Sequence, residues 1–364
     1  MSDLSGRLPD FPWDTLASAK LRAAAHPDGI VDLSVGTPVD PTPSFAAEAM
    51  ASVSAHGYPT VWGTPELRLA IRRYLETRWS CVPLADQNVL PVIGTKELVG
   101  WLPTMLALGA KDVVVHPVSA YPTYQVGALT AGARPLGLDD PAQLPDGVGL
   151  VWINSPANPT GRIADAAELR AWVGAAREAG AVLASDECYG EFAWDAEPYS
   201  VLDPRINDGN LAGLLAVHSV SKRSNAAGYR AGFVAGDARV VGELLAARKH
   251  LGMMVPAPIQ AAMAALLGDQ DHVEAQRERY LARRSVLRPA LEEAGFRVEH
   301  SQGSLYLWVT RDEPCRESVA WLAELGILVA PGDFYGADTF VRVALTATDE
   351  RIGAAVHRLG GAQR

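Results

Sequence analysis

The fold of this chain is best predicted from residues 215–236, LAVHSVSKRSNAAGYRAGFVAG. The segment begins with an apolar run that is typical of a buried strand, and Ser219, Ser221 and Lys222 stand at or just past the end of that run. Upstream, the apolar run AVLASD ends in Asp186 in the same way. Polar residues directly after buried strands indicate a sheet whose strand ends carry a functional site.

The middle of the chain alternates apolar runs of four to six residues with amphipathic segments. This alternation predicts an α/β fold with a mostly parallel central sheet that is covered by helices on both faces. In such sheets ligands bind beyond the carboxyl ends of the strands. After Pro256 the pattern changes to one long helical stretch, residues 257–295, and then to half-buried strands of a smaller α+β domain.

We therefore predict three parts of the chain. Residues 1–40 form an N-terminal arm and part of the small domain, residues 41–252 form the large domain, and residues 253–364 form the small C-terminal domain. The boundary near residue 252 follows the change from alternating strands and helices to a long helix.

Composition narrows the class of protein. The chain has 364 residues, of which 48% are hydrophobic, and a net charge of −10, so it lacks the basic surface that nucleic acid or an anionic membrane would need. Cys81, Cys188 and Cys315 are too far apart for a metal site, and Cys188 is better explained as a small packing residue than as a reactive thiol. Without a signal peptide or a long apolar run, we expect a cytoplasmic protein.

The residues at the strand ends match the needs of pyridoxal 5′-phosphate (PLP). This cofactor requires a lysine tether, a carboxylate at its pyridine nitrogen, a phosphate cradle and a ring clamp. Lys222 is the candidate tether, because burial and the nearby Arg230 would lower its pKa and favour the neutral amine that forms a Schiff base. Asp186 is the candidate partner of the protonated pyridine nitrogen.

The phosphate group needs hydroxyl groups, a cation and a helix start. Ser219, Ser221 and Arg230 supply the hydroxyl groups and the cation. The turn that contains Thr95 and Lys96 lies between a predicted strand and a predicted helix, and it would supply the helix start.

Aromatic and amide side chains complete the predicted cofactor site. Tyr189 and Asn158 are placed to hydrogen-bond the phenolic oxygen of PLP. Tyr121 is the predicted ring that stacks on the pyridine, and Tyr124 is the alternative.

Three motifs resemble those of class I/II aminotransferases, which belong to PLP fold type I. They are NSPANPTG from Asn154, DECY from Asp186 and SVSKRSNAAGYRAG from Ser219. The 36 residues from Asp186 to Lys222, and the eight from Lys222 to Arg230, also agree with the family. The resemblance extends from about residue 31 to the C-terminus and implies an aspartate-aminotransferase-like large domain with PLP as cofactor.

The resemblance implies further roles that composition and spacing do not give. Lys222 would move the proton between the substrate Cα and the cofactor, and Arg342 would bind the substrate α-carboxylate. Gly36 and Asn158 would contact the substrate near that carboxylate. The family is also homodimeric with shared active sites, which would bring Tyr58 of one subunit to the phosphate of the other.

The substrate is predicted from the resemblance of two further segments. The segments FPWDTLASAKLRAAAHPDGIVDLSVGTPVDPTP and YPTVWGTPELRLAI resemble an actinobacterial subgroup of N-succinyldiaminopimelate aminotransferases. These enzymes of lysine precursor synthesis convert N-succinyl-LL-2,6-diaminopimelate and 2-oxoglutarate into N-succinyl-2-amino-6-oxopimelate and glutamate. No second arginine for a distal carboxylate can be assigned, and Arg22, Arg223 and Arg316 are unplaced candidates.

Three alternatives remain. The chain could be an aminotransferase for another amino acid or a specialised metabolite, or a β-eliminating lyase of the same fold type. A PLP-binding transcriptional regulator is disfavoured, because an additional DNA-binding domain has no room in 364 residues.

Overall fold

The computed structural model describes residues 5–362, so residues 1–4 of the predicted arm and residues 363–364 of the predicted small domain lie outside the described residues. The helices are α1 (Ala17–Ala24), α2 (Ser44–Ala51), α3 (Pro65–Arg78), α4 (Thr95–Met105), α5 (Thr123–Ala131), α6 (Ala166–Glu178), α7 (Pro204–Asn207), α8 (Val220–Arg223), α9 (Ala238–Leu251), α10 (Ala257–Leu267), α11 (Asp271–Glu293), α12 (Cys315–Glu324) and α13 (Asp349–Gly361). Short 3-10 helices include Pro12–Leu16, Ala227–Tyr229 and Gly332–Tyr335.

The strands fall into three sheets. They are β1 (Val31–Asp32), β2 (Val89–Val92), β3 (Val113–His116), β4 (Arg134–Gly137), β5 (Val148–Asn154), β6 (Val182–Asp186), β7 (Leu214–Ser219), β8 (Gly232–Gly236), β9 (Arg297–Glu299), β10 (Tyr306–Thr310), β11 (Ile327–Leu328), β12 (Ala330–Pro331) and β13 (Phe340–Ala344). The large sheet has the order β2-β8-β7-β6-β5-β3-β4, and the small sheet has the order β12-β13-β10-β9.

The large sheet is mostly parallel, as predicted. Only β8 runs antiparallel to its neighbours, β2 and β7. In β7, Ala216 packs into one hydrophobic cluster, whereas Leu215 and Val217 pack into a second cluster on the opposite face. Burial on both faces explains why this strand is continuously apolar. The edge strand β4 was not predicted, because its sequence RPLG contains a proline and a glycine.

The predicted long helix after Pro256 is wrong in one respect, since α10 and α11 are separate helices. The break follows Gly268, and the buried guanidinium of Arg223 donates hydrogen bonds to the carbonyl oxygens of Leu266 and Asp269. These bonds satisfy backbone acceptors that a continuous helix would have paired internally.

The N-terminal segment packs with the small sheet rather than with the large one. Val31 pairs with Ile327 of β11 in a parallel arrangement, and Leu16 and Leu33 belong to the hydrophobic cluster of the small sheet. This packing agrees with an N-terminal contribution to the small domain, while the exact domain boundaries stay a prediction. No helix within residues 5–362 has the length and apolar character needed to cross a membrane.

Candidate active site

The carboxyl ends of β5, β6 and β7 meet at one edge of the large sheet, next to the small sheet. Asn154 and Asp186 are paired residues at the ends of β5 and β6, and Ser219 ends β7. A cavity of about 590 Å³ opens at this edge. Its lining includes these predicted site residues: Gly36, Thr95, Lys96, Tyr121, Asn158, Asp186, Tyr189, Ser219, Ser221, Lys222, Arg230 and Arg342.

Lys222 lies in α8, the single helical turn that follows β7. Its Nζ donates a hydrogen bond to the backbone carbonyl of Gly36. Burial lowers the pKa of Lys222, and the positive charges of Arg342 and Arg230 lower it further, although Tyr306 acts in the opposite direction. The neutral amine is therefore more accessible at Lys222 than at a surface lysine, as a nucleophile or base requires.

Asp186 is a buried carboxyl group held by neutral donors. Its Oδ2 accepts a hydrogen bond of 2.8 Å from the Tyr124 hydroxyl, and its Oδ1 accepts one of 3.2 Å from the Cys188 backbone N–H. Burial raises the pKa of Asp186, and the hydrogen bonds from Cys188 and Tyr124 only partly oppose this shift. A cationic group beside Asp186 would stabilise its carboxylate form.

The two tyrosine candidates for ring stacking differ in their contacts. Tyr124 is fully buried, its ring stacks on Trp152 with a centroid distance of 5.0 Å, and its hydroxyl is bound to Asp186. Tyr121 meets Tyr124 edge to face at 5.8 Å and is partly exposed in the cavity. The geometry thus favours Tyr121 over Tyr124 as the residue with a ring available to a ligand.

An anion-binding arrangement lies at the start of α4. Gly94 precedes the helix at φ +79°, and a Cβ at that position would be 2.3 Å from the guanidinium of Arg230. Arg230 therefore packs directly on the turn whose N–H groups begin the helix with Thr95. Ser219 and Ser221 lie in the same cavity, where the Ser219 hydroxyl accepts a hydrogen bond from the Ser221 backbone. A helix start with an arginine and hydroxyl groups suits a phosphate.

Arg342 of β13 is held rigidly in the cavity wall. Its Nη1 donates to the Asn158 side chain at 2.8 Å, and its Nη2 donates to the Ser34 carbonyl at 2.7 Å. The guanidinium packs on the rings of Tyr306 and Tyr335, 4.0 and 4.9 Å from their centroids. Its buried Nε has no hydrogen-bond partner among the described residues. An oriented guanidinium with unused donors is suited to a carboxylate.

The cavity also contains residues that the sequence patterns did not indicate. Tyr306 of β10 places its hydroxyl 3.0 Å from that of Tyr189, and Phe11 and Trp13 form an aromatic wall near Lys96. In the sequence, Tyr306 is only one residue of a half-buried strand, and the resemblance carried by the segment from Phe11 onward assigns no site role to Phe11 or Trp13. Gly36 is the one sequence feature that could have indicated a closely packed side chain, because a glycine leaves room for the Tyr306 hydroxyl.

Several other residues are placed away from the cavity. Arg22 pairs with Glu324 on the surface, and Arg316 pairs with Asp333, while Arg223 is buried against Glu191. None of these three arginines lines the cavity within the described part of the chain.

Tyr58 and Cys188 have contrasting environments. Tyr58 is 98% exposed on the loop before α3 and does not line the cavity. The Cys188 thiol lies 3.5 Å from the Thr95 hydroxyl, and burial raises its pKa well above the usual value. A thiol that resists ionisation fits a packing role better than a nucleophilic one.

Comparison with known proteins identifies the family. The model of the family described as Aminotransferase class I and II matches residues 28–359. The chain belongs to this family. It is 59% identical over 360 residues to a probable aminotransferase of Mycobacterium tuberculosis, covering 98% of this chain and 86% of that protein. It is also 56% identical over 356 residues to the 4-dedimethylamino-4-oxo-anhydrotetracycline transaminase OxyQ of Streptomyces rimosus, covering 97% and 99%.

A solved structure gives the same result for the fold. The probable N-succinyldiaminopimelate aminotransferase from Thermus thermophilus superposes with a TM-score of 0.87 and 25% identity, covering 97% of this chain and 100% of that one. The predicted aspartate-aminotransferase-like fold of PLP fold type I is thereby confirmed, and PLP is the cofactor of this family. The substrates are accordingly an amino compound and an oxo acid.

Gly36 offers a direct test of the cavity geometry. A Cβ at Gly36 would be 2.0 Å from the Tyr306 hydroxyl, so the Gly36→Ala variant must displace either that phenol or the backbone that binds Lys222. We expect transaminase activity to fall by about 5-fold to about 150-fold, the equivalent of the about 1–3 kcal/mol that overpacking costs. Gly242→Ala, in an open position on α9, is the matched control and should keep full activity. Equal activity of the two variants would contradict the described packing around Gly36.

Proposed function

We propose that Lys222 carries PLP and acts as the proton-transferring base of an aminotransferase. The observation that supports this proposal most strongly is the buried Lys222 amine with a lowered pKa in a cavity that also holds Asp186 and Arg230. Asp186 would stabilise the protonated pyridine nitrogen, which in turn would keep the Asp186 carboxylate ionised. When bound, PLP supplies an electron sink that stabilises negative charge at the substrate Cα.

The remaining residues would bind the cofactor and orient the substrate. Ser219, Ser221 and Arg230, with the N–H groups of Thr95 and Lys96, would hold the phosphate. Tyr189 and Asn158 would hydrogen-bond the phenolic oxygen, and Tyr121 would cover the ring.

The substrate would be held at its α-carboxylate. Arg342 would bind that carboxylate beside Gly36 and Asn158, and so bring the substrate Cα–H to the Lys222 Nζ, which accepts the proton. The burial of Lys222 would limit the access of bulk water to that amine.

Tyr58 is proposed to act in a second subunit. Its nearly complete exposure in one chain, on a loop away from the cavity, supports a role at a homodimer interface rather than within its own subunit. The tyrosine hydroxyl would then bind the phosphate in the partner site.

We propose N-succinyl-LL-2,6-diaminopimelate as the amino donor and 2-oxoglutarate as the acceptor. The name of the superposable Thermus thermophilus protein supports this choice. OxyQ supports a second candidate, an aromatic polycyclic ketone as acceptor, because its name describes a tetracycline-type substrate and the identity is 56%. The aromatic wall of Phe11 and Trp13 is compatible with that larger substrate.

The Lys222→Ala variant tests the catalytic proposal. We expect it to lose the visible absorption that borohydride treatment fixes in the wild-type protein, and to lose transaminase activity by at least about a thousandfold, because both the tether and the base are removed. Lys249→Ala, which removes an exposed lysine of α9, should retain both properties. A Lys222→Ala protein with wild-type activity would contradict the proposal.

A panel of single-turnover reactions tests the substrate proposal. We expect N-succinyl-LL-2,6-diaminopimelate and glutamate to discharge the visible absorption with kcat/KM at least about tenfold above those of alanine and the aromatic amino acids. Aminated anhydrotetracycline as the best donor would instead favour the second candidate. Repeated release of an oxo acid together with ammonia, with no oxo-acid acceptor present, would indicate a lyase and contradict both.

A further inference from the structure

Tyr306 contacts two parts of the proposed catalytic apparatus. Its side chain is 3% exposed, and its hydroxyl lies 3.0 Å from the Tyr189 hydroxyl. The same oxygen lies against the backbone of Gly36, where a Cβ would be only 2.0 Å away. The Gly36 carbonyl accepts the hydrogen bond from Lys222. Tyr306 is thus next to both Tyr189 and the Lys222 anchor.

The direction of the hydrogen bond between the two phenols decides whether the Tyr189 hydroxyl can donate a hydrogen bond into the cavity. Each hydroxyl has one hydrogen and can also accept. If Tyr306 donates, the hydrogen of Tyr189 is available to a group in the cavity, which Tyr189 also lines. If Tyr189 donates, its own hydrogen is used within the pair, and it can only accept from the cavity.

Burial and the neighbouring charges leave the two phenols with different pKa values. Burial alone would raise the pKa of this phenol, but Arg342, 4.0 Å from the ring centroid, and Lys222 hold the pKa below its usual value. Burial and the neighbouring Tyr306 instead raise the pKa of Tyr189 well above its usual value. The two hydroxyl groups are 3.0 Å apart, and in the proposed complex Tyr189 donates its hydrogen to the phenolic oxygen of PLP, so the bond between the two phenols is then donated by Tyr306.

The titratable groups around Tyr306 come from several elements, and two of them are cationic. They are Tyr121, Tyr189, Lys222, Tyr280, Tyr335 and Arg342. No carboxylate is among them within the described residues, so no group nearby would compete for the Tyr306 hydrogen as an anionic acceptor.

We infer that Tyr306 is a positioning residue, which donates its hydrogen bond to Tyr189 and thereby directs the Tyr189 O–H toward the phenolic oxygen of PLP. This inference rests on the proposed function. A hydrogen bond donated to that oxygen stabilises its negative charge and weakens the attraction for a proton on the Lys222 nitrogen joined to the cofactor. Tyr306 would therefore lower the pH at which that nitrogen loses its proton.

The test is a pH titration of the visible absorption of the PLP-loaded protein. We expect Tyr189→Phe to raise the titration midpoint, and Tyr306→Phe to raise it in the same direction by up to about one pH unit, the equivalent of one hydrogen bond. In the Tyr189→Phe background, Tyr306→Phe should add no further shift, because Tyr306 acts through Tyr189.

Tyr335→Phe is the matched control. Tyr335 also packs on the Arg342 guanidinium, but its hydroxyl has no hydrogen-bond partner among the described residues. We expect its midpoint to equal that of the wild-type protein. In the cofactor-free protein, titration of tyrosinate absorbance should lose its lowest-pH step in Tyr306→Phe and keep that step in Tyr335→Phe.

The outcomes separate this inference from the proposed function. An unchanged midpoint in Tyr306→Phe with normal PLP content would overturn the inference alone, as would additive shifts in the double variant. A wild-type protein that takes up no PLP would overturn the proposed function, and this inference with it.

Discussion

The hydrogen bond from the buried Lys222 amine to the Gly36 carbonyl joins the two main sheets of the molecule. Lys222 follows β7, an interior strand of the large sheet, whereas Gly36 belongs to the N-terminal segment that packs with the small sheet and against Tyr306. Arg342 reinforces the same junction by binding the Ser34 carbonyl and Asn158. The site therefore exists only where the two sheets are docked, and a change in their packing alters the position of the reactive amine.

Charge is distributed unevenly around this junction. Lys96, Lys222, Arg230 and Arg342 are cations in the cavity lining, and Asp186 is the one carboxyl group among the described lining residues. Such a lining suits a ligand with a phosphate and one or more carboxylates. Burial disfavours the charged form of both the basic and the acidic group: it lowers the pKa of Lys222 and raises the pKa of Asp186. Both shifts favour the neutral forms, and a complementary charge on a bound ligand would oppose them.

Sequence patterns predicted the residues that follow apolar strands, because strand length and burial are local properties. Asp186, Ser219 and Lys222 were placed correctly at the sheet edge for this reason. Contacts between distant segments were not predictable in this way. The Tyr189–Tyr306 pair spans 117 residues, and the break between α10 and α11 depends on hydrogen bonds from Arg223. The choice between Tyr121 and Tyr124 likewise required the position of Asp186 in space.

Peptide mapping of the borohydride-reduced holoprotein tests whether Lys222 is the residue that carries PLP. Reduction converts the lysine–cofactor linkage into a stable pyridoxyl group, whose position mass spectrometry can locate. We expect one modified site per chain, at Lys222. Modification at Lys96, the other lysine of the cavity lining, or at any further lysine in place of Lys222, would contradict it.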